Sequence, residues 1–328
     1  MPPSSSTSSS SEYARFAWKV LLLFALLFAL DRVGGALAEH FFMATRDGDT
    51  GGQINGLLAE KTDVLVFGSS RAESHYVPGV LTETLGKPTF NAGFKGSNVL
   101  YDYGVEQLVF DTYAPKLIVY DFSPIAVLKP KGDPYEKLYP LYPFWKNQHV
   151  WNLIGEDGPL RKSFFLSRLY PYNSKVHSIA IFNVIKSRPG AASGYVAQGG
   201  TLGANAQPGD IDAEAESTYD PGLVDHMLKF IDSARAHGVE LVVITSPRYA
   251  KGQYTIPESV RRKLAELQVP HLDFDLDEYP QFNDPRLFKD ENHLNHDGAK
   301  LFSRLLGQKL NSLGQSWTAE ATAQSSRQ

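Results

Sequence analysis

Two hydrophobic patterns divide the chain. From Phe16 to Ala38 nearly every position is apolar, apart from Lys19 and the Asp31–Arg32 pair, and Val20–Leu30 is unbroken. A helix here has no polar face to turn to water, which argues against a half-buried helix of a soluble domain. Crossing a bilayer takes about 20 such residues. Phe16–Ala38 suffices if Asp31 and Arg32 sit near the outer interface, where charged ends are tolerated. Beyond residue 60 short apolar runs alternate with amphipathic stretches. Val64–Phe67, Pro88–Asn91, Leu117–Tyr120, Glu240–Thr245 and His271–Phe274 are short enough to be buried strands. Pro78–Leu85, Asn98–Phe110, Asp220–His237, Glu258–Leu267 and Asp297–Leu313 are predicted helices. In the third of them Leu223, Met227, Phe230, Ile231 and Ala234 form one stripe, and Gly238 follows its end. Strand and helix in alternation predict an α/β fold, a mostly parallel five-stranded sheet with helices on both faces in a three-layer, flavodoxin-like sandwich.

Other stretches set the domain boundaries. Residues 1–15 contain the Ser-rich tract PPSSSTSSSS and read as a disordered cytoplasmic tail. Residues 16–38 form the transmembrane anchor, and 39–61 a stalk ending in a Gly/Asp-rich turn. Residues 62–314 form the folded domain, and 315–328 a disordered tail. An insertion at about 124–215 interrupts the domain. It is first rich in Tyr, Pro, Phe and Trp, then in Gly and Ala, and is expected to lie over the C-terminal edge of the sheet, where open α/β folds bind ligands. The N-terminal segment has a second reading as a signal peptide, because Ala36-Leu37-Ala38 is an A-x-A cleavage pattern before Glu39. The charges and length between Leu30 and Ala38 favour the anchor. Both readings place the domain outside the cytoplasm, since Arg15 and Lys19 precede the segment and Glu39 follows it. The expected location is the cell (inner) membrane, with the domain extracytoplasmic or periplasmic.

Composition narrows the chemistry. The 328 residues contain no cysteine, which excludes disulfides, thiol nucleophiles and cysteine-ligated metals. With 32 basic against 36 acidic residues there is no positive excess to draw nucleic acid.

Polar residues gather where strands end. Gly68-Ser69-Ser70-Arg71 follows the first strand, and a serine at a strand-to-helix turn is exposed at the sheet edge. A tight turn alone would use the same small residues. After the second strand comes Asn91-Ala92-Gly93-Phe94-Lys95-Gly96-Ser97-Asn98, whose glycines permit close backbone approach and an amide aimed at an oxyanion. Asn98 also fits a helix N-cap. Before the last helix, Asp290-Glu291-Asn292-His293 places an acid three residues ahead of a histidine, suited to orient the imidazole ring toward a serine. A metal site from Asp290, His293, His296 and Asp297 is disfavoured, since the two histidines lack H-x-x-x-H spacing and no third ligand is evident. Arg71 suits either an anionic substrate or an Asp partner. Tyr139, Tyr142, Phe144, Trp145 and Trp151 suit either sugar stacking or a core.

In this order and on these strand ends the motifs resemble the SGNH/GDSL hydrolase superfamily over residues 62–313. Gly68-Ser69-Ser70 is similar to its first block, with Ser69 in place of aspartate. Asn91–Gly96 is similar to the second, and Asp290–His293 to the last. The resemblance implies Ser70 as nucleophile, His293 as base, Asp290 as its orienter, and the Ser70 and Gly96 amides as oxyanion donors, with no metal or organic cofactor. Anchor, GSSR start and D-x-x-H-L-N-x-x-G end resemble the membrane-anchored DltD-like branch. That likeness implies acyl chemistry on a cell-envelope polysaccharide or its carrier beside a membrane-bound O-acyltransferase. The third block departs from the pattern. Its asparagine is absent from Leu117–Pro124, which leaves Asp121, Ser123 and Asn98 as candidate substitutes for donation or substrate binding. A catalytically silent accessory module is the rival expectation.

Overall fold

The computed structural model describes residues 8–48, 50–185, 193–211 and 214–313. Five strands, β1 (Val64–Gly68), β2 (Thr89–Asn91), β3 (Leu117–Asp121), β4 (Glu240–Thr245) and β5 (His271–Asp273), form one sheet in the order β2-β1-β3-β4-β5, all parallel. The order reverses direction between β1 and β3, so a crevice opens at their C-terminal ends. Both faces are covered, and the central strands β1 and β3 are buried at every position. Alternate residues serve opposite faces. Leu65, Phe67, Ile118, Tyr120 and Val243 pack with α2 (Gly52–Glu60), α5 (Val99–Phe110), α9 (Pro221–Ala236) and α10 (Glu258–Glu266). Val64, Val66, Val119, Val242 and Ile244 pack with α3 (Ser70–His75), α4 (Pro78–Leu85) and α11 (His296–Ser312).

The N-terminal helix α1 runs from Ser8 to Ala44, with mean hydropathy 2.1 over its most apolar window and almost no burial there. It is long and apolar enough to cross a membrane. Helix therefore already covers Ser8–Arg15 of the expected disordered tail, while residues 1–7 and 315–328 of the two expected tails lie outside the described residues.

The expected stalk is not a tether. α1 continues through its first residues, and α2 is part of the domain, with Ile54 and Leu57 one turn apart in the core beside Phe42. Gln53 fastens it by donating from Nε2 to the carbonyls of Asn91 (2.8 Å) and Gly93 (3.1 Å). The period of this nine-residue helix is hidden by its glycines and polar residues, which are buried by contact rather than by apolarity.

The insertion also departs from expectation. Its 3₁₀ segment Pro134–Phe144 and α6 (Gln148–Glu156) cover α5, on a helical face of the sandwich. α7 (Pro159–Ser163) follows, and α8 (Val176–Ile185) lies along α1. Among its described residues only those near its two ends, Pro124, Ile125, Leu128 and Glu214, reach the crevice at the strand ends. Tyr142 and Phe144 are buried in the core, while Trp145 and Trp151 are half-buried against it and line a surface pocket with Lys146 and Gln148, away from the serine. Tyr139 is half-exposed, with the Lys175 ammonium 4.8 Å from its ring centre.

Candidate active site

β1 ends at Gly68, and the chain turns at once into α3 with Ser69 at its N-cap and Ser70 as its first residue. The Ser70 amide thus belongs to a first helical turn, where amides have no intrahelical acceptor. The Asn91 side chain pins this turn to the neighbouring strand end. Its Nδ2 donates to the carbonyls of Ala72 (2.6 Å) and Tyr76 (2.9 Å), and its Oδ1 accepts from the Gly93 amide (2.9 Å). Gly93 has to be glycine, because a Cβ there would lie 2.5 Å from the Glu73 nitrogen.

Ser70 and His293 are 223 positions apart, yet the Ser70 hydroxyl lies 2.8 Å from His293 Nε2. On the far side of the ring, Nδ1 is 2.9 and 3.1 Å from the two carboxylate oxygens of Asp290. With Nδ1 protonated toward Asp290, Nε2 is left to accept the serine proton. Asp290 also accepts from the Asn292 and His293 amides, each at 2.9 Å. Burial opposes its charge, but these amides and the imidazole outweigh it and hold the carboxyl below its ordinary range.

A second histidine braces the loop. His75, at the end of α3 and fully buried, accepts the Leu294 amide at Nε2 (3.0 Å) and donates from Nδ1 to the Ser246 hydroxyl (2.9 Å). Ser246 in turn donates to Asp121 from its amide (3.0 Å) and its hydroxyl (3.2 Å). Burial drives the His75 pKa well below the ordinary value, and the charges of Arg71 and His293 add to the effect, so it stays neutral, as an accepting Nε2 requires. Asp121 faces Arg71 Nε at 3.6 Å, and Arg71 Nη2 donates to the Phe122 carbonyl (2.6 Å). Burial raises the Asp121 carboxyl, against the pull of Arg71 and Ser246. The Tyr254 ring lies 5.0 Å from the Arg71 guanidinium and 3.5 Å from that of Arg248, whose own pKa falls to about 10, chiefly through burial.

A cavity of about 310 Å³ opens over the serine, lined by Ser69, Ser70, Arg71, Asp121, Ser123, Ile125, Tyr254, Asn292 and His293 among others. The structure therefore brings five of the expected residues, Ser70, Arg71, Asp121, Ser123 and His293, to one cavity, with Asp290 behind the histidine. Two stand apart. Gly96 is not in the lining; it occupies a turn with φ 72°, the left-handed conformation that glycine adopts without strain. Asn98 is a helix cap, accepting from the Leu100 amide at 3.2 Å and donating to the Pro134 carbonyl at 3.1 Å. His296 does not join His293 but meets the Tyr195 hydroxyl at 2.9 Å. Among the described residues no group of three or more His, Asp or Glu is arranged to hold a metal ion.

Sequence reasoning missed His75, Ser246, Tyr254 and Asn292. His75 and Ser246 are brought together by the sheet alone, across 171 positions. Tyr254 lies in a loop with no motif, and Asn292 occupies a variable position of the D-x-x-H block.

No protein-family model matches the chain, and no curated protein does. A solved structure to which it is similar is a "putative acylhydrolase" from Bacteroides fragilis, at 13% identity, covering 76% of this chain and 86% of that one with a TM-score of 0.33. A likeness that distant carries no functional argument, and the reading of the site rests on its own geometry.

Proposed function

We propose that this chain is an extracytoplasmic, membrane-anchored serine esterase or O-acyltransferase of the SGNH type. The observation that carries the reading is the continuous chain Ser70 Oγ–His293–Asp290 opening onto a cavity at the sheet's switch point. Ser70 Oγ attacks an ester carbonyl while His293 Nε2 takes its proton, and Asp290 steadies the imidazolium that forms. The protonated histidine then returns the proton to the departing alkoxide, leaving an acyl-serine. Water hydrolyses that ester, or a sugar hydroxyl takes the acyl group, with His293 again the base. In this reading the Ser70 amide and the Ser123 hydroxyl, from two residues that line the cavity, serve the oxyanion in the roles first expected of the Gly96 amide and a third-block asparagine.

The substrate in this proposal is an O-acyl group on an envelope polysaccharide or its carrier, and the partner is a membrane-bound O-acyltransferase. Topology and motif order support both. The test is ester turnover by the full chain with Ser70→Ala and His293→Ala variants, in which both should abolish it. A second reading, the silent accessory module, draws on one observation: Gly96 is not among the residues that line the cavity. It predicts that Ser70→Ala fully complements a null strain.

A further inference from the structure

The unbroken apolar run of α1 is too short to cross a bilayer alone. Val20–Leu30, between Lys19 and Asp31, is 11 residues, or about 16 Å at 1.5 Å per residue. The hydrocarbon core is about 30 Å thick. The deficit is made up only if the core extends past Asp31 and Arg32, toward exposed Val33, Leu37 and Phe41 on the same helix. Charges at such depth need partners, and these have them. Asp31 accepts from the Ser167 hydroxyl and from the amides of Arg168 (3.0 Å) and Leu169 (3.3 Å), and Arg32 donates to the Leu166 carbonyl. Close approach is built in: a Cβ on Gly35 would lie 2.4 Å from Arg168 Cβ.

The loop that satisfies the charges must share their depth. Its surroundings are suited to that. Leu160, Phe164, Leu166, Val184 and Ile185 are all exposed, Leu166 at 77% and Val184 at 83%, on one stretch of the insertion. Exposed apolar side chains gathered within one short segment, as at Leu160, Phe164 and Leu166, mark an interaction site. Between α1 and α8 runs a groove of about 500 Å³ walled by Leu37, Ala38, Phe41, Leu169, Val176 and Ile179. It is continuous with the surface of the spanning helix, which already meets lipid.

We propose that residues 160–185 form a platform that dips into the outer leaflet beside α1, with lipid acyl chains filling the α1–α8 groove. This rests on reading α1 as a bilayer span. The platform shields Asp31 and Arg32, completes the span and fixes the domain against the membrane surface rather than leaving it on a tether.

Because the chain has no cysteine, single-cysteine variants Leu26→Cys, Leu166→Cys, Val184→Cys and Ile125→Cys can each carry one environment-sensitive fluorophore. The full chain is reconstituted in phosphatidylcholine–phosphatidylglycerol vesicles with nitroxides on the acyl chains, after circular dichroism shows that each variant is folded. Labels at Leu26, Leu166 and Val184 should shift to the blue and be quenched. The label at Ile125, exposed beside the catalytic cavity, should do neither. Quenching at Leu26 with water-like emission at Leu166 and Val184 would leave the span standing and overturn the platform, including the case where the groove awaits a protein helix. Water-like emission at Leu26 as well would overturn the span and the platform with it.

Discussion

At the scale of the residue, Ser70 is an ordinary alcohol until a base takes its proton, and His293 Nε2 at 2.8 Å is placed to do so. In the proposed mechanism nucleophile and base act as one unit, so their losses do not add. Ser70→Ala and His293→Ala should each lower kcat/KM for an acyl ester by on the order of 10⁴ or more, and the double variant should be little worse. Asp290→Asn should cost less, because it removes charge and orientation but leaves the proton transfer pair. Steady-state kinetics on the three variants checks the ranking. The three residues were legible in the sequence because each sits beside a strand end or a helix start with a recognisable spacing. His75 was not: its role comes from the Leu294 amide and the Ser246 hydroxyl, two partners that no local pattern announces. Gly96 was over-read, since a glycine in a turn satisfies φ 72° whether or not its amide serves a substrate.

At the scale of the element, buried charges tie the strand ends and helices together. Arg71 at the start of α3 and Asp121 at the end of β3 are both almost fully buried. Arg71→Met leaves Asp121 without its cation and should destabilise the fold by roughly 3–5 kcal/mol. Adding Asp121→Asn should recover part of that, measurable by chemical denaturation. On the other face Asp102 of α5 is buried against β3, where it accepts from the Tyr120 hydroxyl (2.9 Å). Burial raises its pKa to about 7, against the pull of that hydroxyl. The raised value means that the folded state holds the proton more tightly than the unfolded chain, whose carboxyl titrates near 3.8. The stability this confers is fully present below that value and is lost as pH rises to about 7. Asp102→Asn should therefore flatten the stability profile between about pH 4 and 7 and make the variant more stable than the parent at neutral pH. An unchanged slope in denaturation across that range would contradict the assignment. Strands were readable as short unbroken apolar runs and the amphipathic helices by their period. α2 was not, because its buried face is made of Gly, Gln and Asn as much as of Ile and Leu.

At the scale of the molecule, α1 and the domain form a continuous structure, joined through Asp31, Arg32 and Glu39 to the insertion. The proposed topology, with Arg15 and Lys19 on the cytoplasmic side, predicts that a reporter fused after Gln328 is active outside the cytoplasm. Cytoplasmic activity alone would remove both the location and the envelope substrate. A mature chain beginning at Glu39 would replace the anchor with a signal peptide and would strip the partners from residues 166–169. The parallel five-stranded sheet was legible in the alternation of elements. The path of the insertion was not, because aromatic and proline-rich sequence serves a core and a ligand site equally well until its neighbours are known.

The central claim is that Ser70 is an activated nucleophile. The direct measurement is to treat the full chain with a serine-reactive phosphonate and map the modified residue by mass spectrometry of its peptides. The account predicts one adduct, on Ser70, lost in Ser70→Ala and strongly slowed in His293→Ala. An unmodified Ser70 in folded protein, or an adduct formed equally fast in His293→Ala, would contradict it.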